Sequence, residues 1–175
     1  MLGGYDFSPL KGLVVDDSSM MRRLLESALQ ALGVNEIHMA ASGAEGYDEY
    51  YLRHPDFIIT DWDMEEDGGP TMVKRIRTDP KSPNAFVPII MLTGFAEVSR
   101  VLAARDFGIT EFMVKPISAD ALHKRLVSII ENNRPFVNSG DGYFGPCRRR
   151  LNDESYQGQN RRKVRPTEVP STGIF

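Results

Sequence analysis

The sequence predicts an α/β fold with a five-stranded parallel, doubly wound sheet, followed by an irregular C-terminal tail. Short apolar runs alternate with amphipathic stretches of helix length up to about residue 133. Two of these runs, FIIT at 57–60 and VPIIML at 87–92, are apolar throughout, as is typical of strands buried on both faces. Right-handed crossovers between five such strand–helix pairs place helices on both faces of one sheet.

The elements follow one another in a regular order. The first strand, within LKGLVVDD at 10–17, ends in two acids, and Ser18 and Ser19 can cap the helix behind it. That helix carries its apolar residues on one face, and Gly33 stands where it should stop. Further strands are expected near 36–40, 57–60, 87–94 and 111–116, and further helices near 42–53, 68–78, 97–107 and 118–132.

Length and composition predict one domain with an appendage. The chain has 175 residues, of which 41% are hydrophobic. We place a domain at 8–133 and a flexible arginine-rich tail at 134–175. Cys147 is the only cysteine, so neither a disulfide framework nor a cysteine-based zinc site is expected within one chain. Without a membrane-length apolar run or a signal-peptide pattern, we expect a soluble, cytoplasmic protein that does not insert into membranes.

Charge divides the chain at the same boundary. Residues 1–133 hold 13 Lys and Arg against 20 Asp and Glu, a net charge of −7, whereas residues 134–175 hold 8 against 4, a net charge of +4. The helical and strand periodicity also stops after Pro135. The tail is therefore expected to lack stable structure when free, and to face a different partner from the domain.

Polar residues stand at the ends of the predicted strands. They are Asp16 and Asp17 after the first strand, Asp61 after the third, Thr93 after the fourth and Lys115 after the fifth. In open α/β sheets the ligand site lies outside the carboxyl ends of the strands, so these groups should converge. Three crowded carboxylates favour a hard cation such as Mg²⁺. The set suits phosphoryl transfer to Asp61, with the cation and Lys115 neutralising the transferred oxygens.

These residues carry a family resemblance: VVDD, TDWDM, LTG and VKP, within residues 10–132, resemble the receiver domain of CheY-like response regulators. The resemblance implies the flavodoxin-like fold and phosphorylation of Asp61 by a histidine kinase or phosphotransfer protein. It also implies Mg²⁺ held by Asp17, Asp61 and the main-chain carbonyl of Asp63, with Asp16 in support. A signalling protein rather than an enzyme is expected.

The same resemblance implies a conformational switch. Thr93 and Phe112 occupy the switch positions, and a cis peptide bond is expected between Lys115 and Pro116. Phosphorylation would draw the threonine hydroxyl inward, with the aromatic ring following. Two departures stand out: Phe112 lacks the hydroxyl of the tyrosine common in the family, and Glu65 replaces a usual proline.

The tail contains two related arginine boxes, YFGPCRRR at 143–150 and YQGQNRRK at 156–163. One interpretation is a charge-balancing tail without a function of its own. A second is nucleic-acid binding, since arginine neutralises phosphates and tyrosine stacks on bases. A third is a guanine dinucleotide, because arginine pairs with the O6/N7 edge of guanine as well as with phosphate, and two boxes suit a twofold ligand.

A receiver followed by such boxes resembles the Cle group of CheY-like cyclic di-GMP effectors. The resemblance implies binding of cyclic di-GMP by the tail and engagement of a flagellar motor switch protein, with no DNA partner. In the second box, Gln159 stands in place of proline and Lys163 in place of the third arginine. The implied nucleotide contacts are Tyr143, Gly145, Pro146, Arg148, Arg149, Arg150, Tyr156, Gly158, Arg161 and Arg162.

Two alternatives stay open beside this hypothesis. One is a phosphorelay or chemotaxis receiver, phosphorylated at Asp61, with a tail that has no function. The other is a nucleic-acid-binding tail, which predicts a steep salt dependence across many oligonucleotides. A guanine-specific site should instead discriminate cyclic di-GMP from cyclic di-AMP.

Overall fold

The structure, a computed structural model, describes residues 5–65, 67–94, 106–131, 134–139, 143–147 and 167–169. Most of its helices and strands lie within a residue or two of the predicted ones. In chain order they are β1 (Lys11–Val15), α1 (Ser19–Ala31), β2 (Glu36–Ala40), α2 (Gly43–Arg53), β3 (Phe57–Asp61), α3 (Gly69–Thr78), β4 (Ile89–Thr93), β5 (Glu111–Val114), α4 (Ala119–Glu131), β6 (Phe136–Asn138), β7 (Phe144–Pro146) and β8 (Thr167–Val169).

The first five strands form one parallel sheet in the order β2-β1-β3-β4-β5. The chain reverses direction across the sheet at β1, so β1 and β3 lie side by side at its centre. Because all five strands run the same way, their carboxyl ends share one edge. The predicted fold class is confirmed, and the polar residues at the strand ends lie along that edge.

Alternating side chains of the central strands fill two cores. Val14, Ile59 and Ile90 lie on the face that packs against α1 and α4, while Leu13 and Ile58 lie on the face covered by α2 and α3. All five are fully buried. Burial on both faces explains why FIIT and VPIIML are apolar without alternation.

Local signals set the helix ends. The Ser18 hydroxyl accepts the Met21 N–H at 3.3 Å at the start of α1. At the start of α2 the Ser42 hydroxyl accepts the Glu45 N–H, and the Glu45 carboxylate accepts the Ala41 N–H at 2.6 Å. Gly33 follows α1 with φ of 101°, the left-handed conformation that terminates helices and favours glycine. The predicted start and stop of α1 and the start of α2 are therefore explained.

One predicted helix and part of the tail lie outside the described residues. Of the helix expected at 97–107, the structure describes only Asp106, which is helical, and Phe107, which lies in a turn. Among the described residues, no helix has both the length and the apolar character needed to cross a membrane.

Part of the tail forms a second sheet, which is a departure from the sequence-based expectation. Strands β6, β7 and β8 pair antiparallel in the order β7-β6-β8, with Phe136 opposite both Pro146 and Val169. The rings of Phe136 and Phe144 contact Phe86 of the domain, with centroids 5.0 and 5.5 Å away. The expectation of a tail without stable structure is therefore wrong for β6 and β7, because Phe136 and Phe144 pack against the domain, while β8 pairs with β6.

Candidate phosphorylation site

The site is organised around one lysine held between two buried carboxylates. The Nζ of Lys115 lies 3.0 Å from Oδ1 of Asp61 and 3.1 Å from Oδ2 of Asp16. Asp16 is completely buried and Asp61 is 7% exposed. Such a cation offsets much of the cost of taking two carboxylates out of water.

The strands fix each of these three residues. Asp16 follows β1, and its N–H donates to the Ala40 carbonyl at 3.2 Å. Asp61 is the last residue of β3. Lys115 follows β5, and its N–H donates to the Thr93 carbonyl at 2.8 Å. The Lys115–Pro116 peptide bond is cis, as the resemblance implied.

The pKa values of Asp61 and Lys115 reflect this environment. Burial raises the pKa of the Asp61 carboxyl above its ordinary value, and the hydrogen bond and charge of Lys115 oppose that rise. Burial alone would lower the pKa of Lys115, but the hydrogen bond and charge of Asp61, together with the charge of Asp16, raise it above its ordinary value. Lys115 therefore stays protonated and keeps a positive charge beside Asp61.

Sequence reasoning missed Arg22, which shapes the turn carrying the acidic pair. The Nη1 of Arg22 donates to the main-chain carbonyls of Asp16 at 2.6 Å and Asp17 at 3.1 Å. Asp17 is exposed, and its carboxylate accepts the Glu65 N–H at 3.3 Å. The only available signal was that a basic residue in the first turns of α1 can reach back over the preceding loop.

The acidic residues fit a divalent cation. Carboxylate oxygens of Asp16, Asp17 and Asp61 all lie within 4.8 Å of one another. Oxygen donors of this kind, two of them held by Lys115 and one exposed to solvent, are the ligands that Mg²⁺ prefers. The Asp63 side chain is exposed and is not one of the three clustered carboxylates, so its expected part would fall to the main-chain carbonyl.

The two switch positions lie on neighbouring strands. Thr93 ends β4 and is fully buried, and Phe112 in β5 is paired in register with Met91. The Phe112 ring is partly buried against the core that α2 and α3 cover. Phe112 thus lies on the strand that leads to Lys115, and Thr93 ends the neighbouring strand, where its carbonyl accepts the Lys115 N–H.

The predicted nucleotide contacts divide into two groups. Tyr143 is 7% exposed, and its hydroxyl donates to the Pro146 carbonyl at 2.7 Å, so it does not offer the open stacking face expected of it. Gly145 lies against Gly108, where a Cβ would meet the Gly108 Cα at 2.7 Å. The remaining expected contacts, which lie outside the described residues, are Arg148, Arg149, Arg150, Tyr156, Gly158, Arg161 and Arg162.

Comparison with known proteins identifies the domain. Residues 13–127 match the family model described as response regulator receiver domain. Chemotaxis protein CheY1 of Helicobacter pylori is 34% identical over 125 residues, which is 71% of this chain and 99% of that protein. A CheY homologue of Campylobacter jejuni is 35% identical over 123 residues, covering 69% of this chain and 92% of that protein.

Comparison with solved structures supports the same family. CheY4 of Vibrio cholerae superposes with a TM-score of 0.63 and 32% identity, covering 69% of this chain and 98% of that one. A CheY of Borrelia burgdorferi, solved in a CheX–CheY–BeF3–Mg²⁺ complex, has a TM-score of 0.62 and 25% identity over 69% of this chain and 89% of that one. With the fold, the lysine–carboxylate site and these matches together, the chain belongs to the response regulator receiver family.

Proposed function

We propose that the protein is a response regulator whose receiver domain accepts a phosphoryl group on Asp61. The observation that carries the proposal is the pair of contacts from Lys115 to Asp61 and Asp16, at 3.0 and 3.1 Å. They leave a cation beside the Asp61 carboxylate, at the edge of the sheet where α/β proteins bind their ligands.

In the proposed reaction the ionised Asp61 carboxylate attacks the phosphorus of a phosphohistidine. The new P–O bond forms as the P–N bond breaks, and the leaving imidazole takes a proton from the surrounding water. Lys115 then shares its charge with the transferred oxygens. The donor is a histidine kinase or a phosphotransfer protein.

Asp16, Asp17 and Asp61 would hold Mg²⁺ together with the main-chain carbonyl of Asp63. The ion supplies neutralising charge to the phosphoryl oxygens when bound. The three carboxylates within 4.8 Å of one another support this assignment, as does the Mg²⁺ of the Borrelia CheX–CheY–BeF3 complex. Asp16 and Asp17 would hold the ion beside Asp61, while Arg22 keeps their loop in place.

Thr93 and Phe112 would read the phosphorylated state. A phosphoryl group on Asp61 can accept a hydrogen bond from the Thr93 hydroxyl, and movement of Thr93 frees space for the Phe112 ring. The change would be read by a chemotaxis partner such as a flagellar motor switch protein. The names of the CheY relatives support a chemotaxis role.

A phosphotransfer assay tests the proposal. In Mg²⁺ with an acyl phosphate donor, the wild-type chain should acquire one hydroxylamine-sensitive phosphoryl group, and Asp61→Asn should acquire none. Asp63→Asn is the matched control, because it removes a nearby carboxylate but keeps the main-chain carbonyl. Labelling of Asp61→Asn at the wild-type level would overturn the assignment.

A second candidate function is binding of cyclic di-GMP by the arginine boxes. It is favoured by the way Cys147, the residue before the arginines of the first box, is held by the start of the tail. The Cys147 N–H donates to the Pro135 carbonyl at 2.7 Å, so the chain enters Arg148 from a fixed point. A fixed entry lowers the ordering cost of binding relative to a free tail. We assign the contacts to Arg148, Arg149 and Arg150 first, because Tyr143, Gly145 and Pro146 are used in packing.

The two functions are tested separately. Calorimetry should detect cyclic di-GMP binding to the full chain, with cyclic di-AMP weaker by more than about tenfold. A triple variant, Arg148→Ala, Arg149→Ala and Arg150→Ala, should lose it, and a double variant, Arg161→Ala and Arg162→Ala, should weaken it less. Absence of binding to the full chain, or equal binding by the triple variant, would reject the nucleotide function and leave the phosphorylation proposal intact.

A further inference from the structure

The C-terminal hairpin holds the loop that precedes β5. We call residues 134–139 and 143–147 the C-terminal clamp, and residues 106–110 the β5 loop. The Arg134 guanidinium donates to the carbonyls of Thr110 and Cys147, tying both ends of the clamp to this loop. The clamp and the loop are in close backbone contact, since a Cβ on Gly145 would meet the Gly108 Cα at 2.7 Å and a Cβ on Gly108 would meet the Phe144 carbonyl oxygen at 2.8 Å.

Arg77 fastens the same loop from the domain side. Its guanidinium is 5% exposed and donates to the carbonyls of Gly108, Ala85 and Val87 at 2.9, 2.8 and 2.8 Å. The Phe136 ring lies 5.2 Å from its central carbon. Because a buried guanidinium is costly to leave without acceptors, Arg77 holds the β5 loop against the domain, and its contact with the Phe136 ring brings the clamp to the same guanidinium.

The β5 loop is connected to the phosphorylation site in two ways, by a side-chain contact and by the main chain. Phe107 contacts the ring of Trp62, the residue after Asp61, with centroids 6.0 Å apart and planes at 76°. Phe107 also lines one cavity with Tyr143 and Phe144 of the clamp. Along the backbone, the loop runs into β5, which ends just before Lys115.

We infer that the C-terminal clamp and occupancy of Asp61 are coupled through the β5 loop. The inference rests on the proposed phosphorylation of Asp61 and adds a regulator to it. The docked clamp coexists with the direct Lys115–Asp61 contact of 3.0 Å. A phosphoryl group on Asp61 would draw Lys115 toward its own oxygens and so replace the arrangement in which the clamp is docked. Release of the clamp therefore favours phosphorylation, and phosphorylation loosens the clamp, as reciprocity requires.

The test uses BeF3⁻ with Mg²⁺ as the phosphoryl probe. Gly145→Ala acts as a wedge, because its Cβ would meet Gly108 Cα at 2.7 Å and Tyr143 Oη at 2.8 Å. Arg134→Ala loosens the clamp without a steric wedge. Lys124→Ala, on α4, is the matched surface control. Far-UV circular dichroism and urea midpoints establish that each variant keeps its folded domain.

The emission of Trp62, the only tryptophan, and the shift in Tm with probe concentration both give the Kd. Both clamp variants should bind the probe at least about fivefold more tightly than the wild type does, whereas the affinity of Lys124→Ala should equal that of the wild type. In the wild type, the probe should speed hydrogen exchange at Ser139 and Cys147.

Equal affinity within about twofold, or weaker binding by both clamp variants, would overturn the coupling while leaving Asp61 as the phosphoacceptor. If Gly145→Ala fails to fold, Arg134→Ala alone decides between these outcomes. A wild-type chain that neither binds the probe nor accepts phosphoryl groups would overturn the proposed function, and the coupling with it.

Discussion

The carboxyl ends and the amino ends of the parallel strands form two opposite edges of the sheet, which we call the carboxyl edge and the amino edge. Different forces stabilise these two edges. At the carboxyl edge, Asp16, Asp61 and Lys115 are held by charge, and Asp17 is exposed. At the amino edge, where Phe86 precedes β4 and Thr110 precedes β5, the C-terminal sheet is held by phenylalanine rings and by a hydrogen bond from Arg134 to the Thr110 carbonyl. An edge held by charge can respond to an ion or a phosphoryl group, whereas an edge held by packing responds to changes of shape.

The largest expected effect is at the packed edge. Phe136 is 2% exposed and lies 5.0 and 5.6 Å from the centroids of Phe86 and Phe144. Phe136→Ala should therefore lower the free energy of unfolding by about 3 kcal/mol, as for other buried aromatic truncations. Urea unfolding of the full chain measures it.

Thr167→Ala, at an exposed position on β8, is the control and should change the stability by less than about 0.5 kcal/mol. If Phe136→Ala changed the stability as little as Thr167→Ala does, the C-terminal sheet would contribute little to the stability of the fold. Packing would then not hold the amino edge.

A smaller effect is expected from removing the charge at the carboxyl edge. Lys115→Met leaves two buried carboxylates without their cation. A fully buried pair would lose about 3 to 5 kcal/mol in this way, and we expect about 2 kcal/mol because the Lys115 side chain is 22% exposed. Stability measured in EDTA gives the loss.

Mg²⁺ should reduce the difference in the free energy of unfolding between Lys115→Met and the wild type, because the ion supplies part of the missing charge. The Lys124 side chain is 72% exposed, so Lys124→Met should be as stable as the wild type both in EDTA and in Mg²⁺. A Lys115→Met chain as stable as the wild type in EDTA would show that charge does not hold this edge.

Mg²⁺ itself should stabilise the wild-type chain modestly. At ten times its Kd, an ion that binds only the folded chain adds about 1.4 kcal/mol. Asp17→Asn should lose most of this gain, because its carboxylate is one of the three that converge. Asp48→Asn, an exposed acid on α2, should keep it. Thermal unfolding with and without EDTA measures the effect, and an equal gain in both variants would remove Asp17 from the ion site.

The carboxyl edge could be predicted from sequence because each of its residues directly follows or ends an apolar run. Asp16, Asp61, Thr93 and Lys115 are placed by parallel strands whose carboxyl ends meet, and no long-range pairing has to be guessed. Arg22 escaped prediction because its role is to reach main-chain carbonyls, which leave no mark in the sequence.

The C-terminal sheet at the amino edge could not be predicted from the sequence, for a different reason. Strand β6 has three residues, Phe136 to Asn138, and its partner β8 begins at Thr167, so no local periodicity connects them. Tyr143 and Phe144 sit in an arginine-rich stretch that suggests a solvent-facing ligand site. Their burial depends on Phe86, Gly108 and Arg77 of the domain, which only the folded structure brings near.

Hydrogen exchange at two amides tests the central claim most directly, which is that the C-terminal sheet is a docked part of the fold. The Ser139 N–H donates to the Tyr143 carbonyl at 3.1 Å and the Cys147 N–H to the Pro135 carbonyl at 2.7 Å. In the full chain both amides should exchange far more slowly than in a free peptide of the same sequence. Exchange at the free-peptide rate would contradict the account and return the segment to an unstructured tail.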